Sequence, residues 1–311
     1  MTKVLTLTLA VSFAVPLPLI AAPGHLTLQV KNDIPQFERF YRDASRPGTS
    51  EALRWALWKK EYGIAAVPPT PAGEALARKQ LDAVWPRYKA LFPRLEQMRA
   101  GAAAEANLAA LRITRELLPA NRSATIAVVL YVGQFDDNAF SIPAMNGRPP
   151  ETLMPIESRN MQLLLAHELS HDVNFALAHV QHTFGAPLGQ TIFLEGLAMR
   201  SASRAFPGYS DAAFTEMPDD RGWLRQCLLE KNAVLLGARK HLSESGPAVT
   251  TRFTFGTGTT GLHREAYCAA WIVFGALLRH GVALSQLAAI PEDRMVDVVR
   301  QGIDESVQLD K

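Results

Sequence analysis

From Asp33 to about Leu118, apolar residues recur at steps of three and four, the period of helices with one buried face. The pattern divides into DIPQFERFYRDAS, GTSEALRWALWKKEYG, TPAGEALARKQLDAVWPRYKALF and PRLEQMRAGAAAEANLAALRITRELL. Start signals precede three of these: Asp33 before Ile34-Pro35, Thr49 and Ser50 before Glu51, and Thr70 before Pro71. Trp55, Trp58, Trp85 and Phe92 fall on the apolar stripe and are expected in a core rather than around a ligand. The texture changes at Ala124. ATIAVVLYVG is short, apolar and β-branched, and ends on a glycine, which predicts a buried strand. NAFSIPA predicts a second strand, with Pro143 marking an edge position, and TLMPIES a third. Helical stretches follow: the one holding HELSH, then TIFLEGLAMRSASRAF, RGWLRQCLLEKNAVLLGARKHL, REAYCAAWIVFGALLRHG and a short one after Pro291. The expected fold is α+β and mostly helical: an N-terminal helical lobe over residues 25–120, and a domain over 121–311 with a short mixed sheet.

Residues 1–24, MTKVLTLTLAVSFAVPLPLIAAPG, stand apart. One cation, Lys3, precedes an apolar run and a cluster of small residues, the layout of a secretory signal peptide. The alternative is a retained membrane anchor, which the prolines and the short apolar span fit less well. No later run reaches the roughly 18 apolar residues of a membrane span, so no stable span is expected once the signal is removed. The expected location is the periplasm or the cell exterior. There Cys227 and Cys268 can pair, although the sequence does not say whether they lie close. Net charge is +2 across 311 residues and no Lys/Arg-rich run stands out, so nucleic acid is not an expected partner.

Candidate chemistry sits in LLLAHELSHDVNFALAHVQHTFG, which holds four of the chain's eight histidines. On a helix His167 and His171 share a face, one turn apart. Two imidazoles so placed can grip one Zn²⁺, with Glu168 beside the first to act as general base on the water the metal activates. A chance His-Glu-x-x-His match in a chain of this composition is expected roughly 0.01 times, so accident is a poor account of it. The competing account is a helix with satisfied polar groups, which would bury three ionisable side chains without a task. A catalytic zinc needs a third protein ligand and an open position for water. A histidine six residues past His171 is excluded, because that residue is Leu177. Asp172 points around the helix, and His179 and His182 lie eight and eleven residues on, the latter some 16 Å along the axis at about 1.5 Å per residue. Glu195 in FLEGLAMRSAS is the better candidate. It follows a loop with Gly185, Pro187 and Gly189, and an antiparallel helix would return it to the histidines; the alternative is a carboxylate favoured at a helix start.

His167-Glu168-x-x-His171 followed by Glu195 resembles the gluzincin metallopeptidases, and HELSH with EGLA resembles a poorly characterised set of predicted bacterial zinc proteases. The resemblance covers Asn138 to Arg200. It implies a zincin-like core, one Zn²⁺ held by His167, His171 and Glu195, Glu168 as the base, and a peptide or protein substrate. DNAFS resembles the strand edge that aligns substrate in thermolysin-like enzymes, which places substrate binding on Asn138, Ala139 and Phe140. A tyrosine or histidine from a later helix often supports the oxyanion in this class; His263 and Tyr267, four apart, are the candidates. Met199 stands where the thermolysin pattern has a supporting carboxylate. Gly256-x-Gly258-x-x-Gly261 is a weak dinucleotide signal without the strand-helix-strand context, and reads instead as a mobile loop over the cleft. The expectation is an exported zinc metallopeptidase. The rival is a cell-envelope binding protein stabilised by zinc without turnover, in which Glu168 would have no task.

Overall fold

The computed structural model describes residues 24–217 and 220–308. The signal-like segment 1–24 lies outside the described residues apart from Gly24. The fold is α+β and mostly helical, around a four-stranded sheet in the order β1-β2-β4-β3. Strand β2 (Ser123–Tyr131) is central and almost wholly buried from Ala124 onward, which is why its sequence is continuously apolar rather than alternating. β1 (His25–Asn32) runs parallel to it, from His25 opposite Ser123 to Asn32 opposite Leu130. β4 (Glu151–Pro155) runs parallel on the other side, and β3 (Phe140–Ile142) pairs antiparallel with β4 at the outer edge. Residues 25–32 therefore depart from the helical lobe to which the sequence assigned them. They alternate, with Leu26 and Leu28 packed inward, and extend the sheet.

The predicted helices form as α1 (Ile34–Ala44), α2 (Glu51–Glu61), α3 (Pro71–Leu91) and α4 (Leu95–Leu117). Ser50 and Thr70 cap α2 and α3 by accepting the backbone N–H groups of Leu53 and Gly73. At α1, the Asn32 side chain accepts from Ile34 N, and Asp33 is instead bonded by the Gln36 amide. Trp55 and Trp58 are buried and stacked, as their stripe predicts, but Phe92 is exposed at the helix end. Two tyrosines tie these helices to the end of β2. Tyr62 Oη donates to Val132 O at 2.7 Å and accepts from Val132 N at 2.8 Å; Tyr88 Oη donates to Gly133 O at 2.9 Å.

Helix α5 (Met161–Ala178) carries HELSH, and a connection through Gly185 leads to α6 (Leu188–Ala205). α5 packs on α4, on α6 and on β2, β3 and β4, so it is apolar on most sides rather than along one stripe. The long helix expected over 221–242 is broken at Glu230 into α7 (Trp223–Leu229) and α8 (Lys231–Arg239). The single turn α9 (Pro247–Thr250), α10 (Glu265–Arg279), the single turn α11 (Leu284–Leu287) and α12 (Met295–Gln308) complete the chain. α10 and α12 both lie on α6. At Gly196 a Cβ would stand 2.2 Å from the Phe274 ring, so the glycine of EGLA is what lets α10 approach α6. No helix among the described residues is long and apolar enough to cross a membrane.

Cys227 on α7 and Cys268 on α10 are fully buried and disulfide-bonded, with Cα atoms 5.6 Å apart. The bond spans 41 residues of sequence. In the chain-entropy account, a loop of that length restricts the unfolded state by about 4 kcal/mol. Reduction, or the paired change Cys227→Ala and Cys268→Ala, is expected to lower the thermal midpoint by roughly 10 °C. Scanning calorimetry with and without reductant checks this; equal midpoints would remove the disulfide from the stability of the fold.

Candidate metal centre

The i, i+4 spacing sets the His167 and His171 rings side by side on α5, with Nε2 atoms 3.2 Å apart. The turn-back through residues 179–187 brings α6 alongside, and Glu195 Oε2 reaches 3.1 Å from His167 Nε2 and 3.9 Å from His171 Nε2. These three residues form a group whose ligand atoms lie together as a metal site requires. Tetrahedral zinc with bonds of about 2.0–2.1 Å spaces its ligand atoms by about 3.3 Å, close to the spacings found here. Glu195 Oε2 is buried and accepts no hydrogen bond of acceptable geometry. An oxygen so placed is costly without a partner, and the donor set suits a divalent cation in that role.

Burial opposes charge on both imidazoles. On His167 the adjacent Glu195 carboxylate outweighs it and raises the pKa above the usual histidine value; on His171 burial prevails and lowers it. Burial would raise Glu195, but the two histidines hold it below the ordinary carboxylate range. Without metal, Glu195 and His167 thus share a proton-stabilised pairing, which a cation would replace.

Glu168 is buried, and its Oε2 lies 2.8 Å from Ser141 Oγ on β3. Ser141 Oγ also lies 3.0 Å from the Glu168 carbonyl and 3.1 Å from Thr152 Oγ1. Thr152 Oγ1 lies 2.7 Å from Asp172 Oδ2, and burial pushes Asp172 well above the ordinary carboxylate range. Tyr267 on α10 is half-buried, and its phenol is pushed up by burial and by the charges of Glu195 and Glu168. It stays protonated at neutral pH and can donate a hydrogen bond.

His263 takes no part in the cluster. It is exposed, its Nε2 lies 3.0 Å from Phe255 O, and its Nδ1 is 3.8 Å from Asp220. Arg264, missed by the sequence reading, stands there instead. Its charge bears on His167, Glu195 and Tyr267, its guanidinium lies 4.1 Å from the Tyr267 ring centroid, and it donates to Thr215 O. A cation three residues before the candidate tyrosine was the available signal. The Gly256–Gly261 loop is pinned rather than loose. The fully buried Glu265 accepts from Thr259 N, Thr259 Oγ1 and Thr260 N, and Arg252 Nε donates to Gly258 O.

The predicted substrate edge divides. Phe140 opens β3, whereas Asn138 and Ala139 precede it in the loop from β2; Ala139 is buried, and Asn138 is exposed with its amide donating to Ala66 O. Phe135 and Asp137 in that loop have left-handed backbones, φ 58° and 52°. Glu157, just after β4, holds the loop by accepting from Gly133 N at 3.1 Å and Phe135 N at 3.2 Å, and Arg159 binds Asp137 through both backbone and side chain.

Compared with known proteins, the chain matches no family model, no curated protein and no solved structure.

Burial pushes Glu157 up to about 7, although its backbone hydrogen bonds oppose the shift. Between its unfolded value and about 7 the folded chain keeps a proton that the unfolded chain has released. Stability is then greatest below this window and declines as pH rises through it, by up to about 3 kcal/mol. The thermal midpoint is expected to fall from pH 5 to pH 8, and Glu157→Gln, which cannot ionise, to shrink that fall. A variant with the wild-type slope would show that other groups set it.

Proposed function

We propose that the chain is an exported zinc-dependent peptidase of the gluzincin kind, acting on peptide or protein substrates. The observation that carries this reading is the convergence of His167 Nε2, His171 Nε2 and a buried Glu195 Oε2 beside Glu168. Zn²⁺ held by these three residues would supply a Lewis acid for the scissile carbonyl and a water whose pKa falls toward about 7. Glu168 takes the proton of the attacking water and delivers it to the departing amine nitrogen. Tyr267, protonated and carried on α10, donates to the carbonyl oxygen as negative charge gathers on it. The open edge of β3 binds the substrate backbone as an added strand.

The rival, a zinc-stabilised envelope protein without turnover, draws support from burial: the side chains of His171 and Glu195 are only 10% and 16% exposed. It leaves Glu168 without a task. Equilibrium dialysis is expected to find one zinc per chain, lost in His167→Ala and in Glu195→Gln and kept in Glu168→Gln. Glu168→Gln is expected to lose about 10²- to 10⁴-fold in kcat. Full activity in Glu168→Gln, or no cleavage across a broad peptide library by zinc-loaded wild type, would sink the peptidase reading.

A further inference from the structure

Ser141 is the middle residue of β3, the strand at the outer edge of the sheet, opposite Thr152 on β4. Its hydroxyl faces three acceptors: Glu168 Oε2 at 2.8 Å, Glu168 O at 3.0 Å and Thr152 Oγ1 at 3.1 Å. A serine has one hydrogen to give. The Glu168 carboxylate oxygen is the nearest of the three, so the hydrogen goes to Glu168 Oε2. Thr152 has its own partner in Asp172 Oδ2 at 2.7 Å, and it closes the remaining side of Ser141.

We propose that Ser141 is a positioning residue that fixes one carboxylate oxygen of Glu168 and locks the base to the strand edge carrying the substrate. This deepens the peptidase reading and rests on it. A glutamate has three side-chain torsions, and burial alone does not select one orientation of its carboxylate. The Ser141 bond engages Oε2 and leaves Oε1 for the water. Ser141 belongs to β3 itself, so the same residue that presents backbone to a peptide also aims the base at that peptide's carbonyl.

The test compares zinc-loaded wild type, Ser141→Ala and Ser141→Thr on one cleaved peptide, together with crystal structures of each. Ser141→Ala is expected to lower kcat by about ten- to a hundredfold, as small misplacements of catalytic groups do, with KM within about twofold. Ser141→Thr keeps the hydroxyl on a strand that accepts β-branching, and is expected to restore most of kcat. In the crystal of Ser141→Ala, the Glu168 carboxylate should leave its wild-type rotamer. An unchanged rotamer, an unchanged kcat, a loss confined to KM, or equal losses in the alanine and threonine variants would each overturn the inference. The two readings fail differently. An active Ser141→Ala beside an inactive Glu168→Gln overturns positioning alone, whereas an active Glu168→Gln overturns the peptidase reading and this inference with it.

Discussion

Three side chains that are each costly to bury alone meet, largely shielded from solvent, where α5 meets α6. An imidazole loses its proton when desolvated, and a carboxylate without donors gains one. At His167 and Glu195 these tendencies are checked by mutual approach, with Arg264 adding to the hold on Glu195, whereas at His171 burial prevails. A cluster like this is stable when a positive charge sits among its lone pairs, whether a shared proton or a metal ion. That condition constrains the scaffold. α6 must return close along α5, which the connection through Gly185 permits, and it must stay close. Gly196 permits this by admitting the Phe274 ring of α10, so that α6 is held between two helices.

The sheet supplies the facing wall. β1, β2 and β4 are parallel, so the connections after β2 and β4 leave from the same end of the sheet. One of them crosses to form β3, and the other enters α5, so edge strand and cluster helix share an origin. The crossing loop adopts left-handed backbones at Phe135 and Asp137, conformations that non-glycine residues take reluctantly. Glu157 and Arg159 hold both residues in place from the connection that leads into α5. On the far side the disulfide ties α10 to α7 at the residue after Tyr267, which restricts how far that tyrosine can drift.

What the sequence revealed depended on whether a rule was local. His167 and His171 were legible because helical spacing alone puts them on one face, and the approach of Glu195 because the length of the connection implies a return helix. The same rule misled at His263. Spacing of four places residues on one face only inside a helix, and α10 begins at Glu265, after a left-handed Arg264, so His263 belongs to the loop and faces away. β1 had a readable alternation at Leu26, Leu28 and Val30, but eight residues between a leader-like segment and a helix gave it little context. The Gly-rich loop suggested looseness because its anchor, Glu265, comes after it and binds backwards. Ser141 was illegible for a deeper reason: its contact with Glu168 depends on the register of β3 against β4 and on the seating of α5 beneath them, and neither is encoded nearby in the chain.

The charges around the cluster also say what kind of partner it favours. Glu195 meets the positive charge of Arg264 and of a His167 that the same carboxylate helps to protonate, while burial makes the His171 imidazole poor at carrying charge. An incoming dication would meet the Glu195 carboxylate and two imidazole lone pairs once the His167 proton left, whereas an anion would be opposed by the field of that carboxylate. The same field keeps Tyr267 protonated, since burial and both carboxylates resist formation of a phenolate. A bound dication would cancel the carboxylates' share of that resistance but not the share due to burial. Tyr267 would then remain a neutral donor with a more polarised O–H, the state in which a phenol best stabilises charge developing on a neighbouring oxygen.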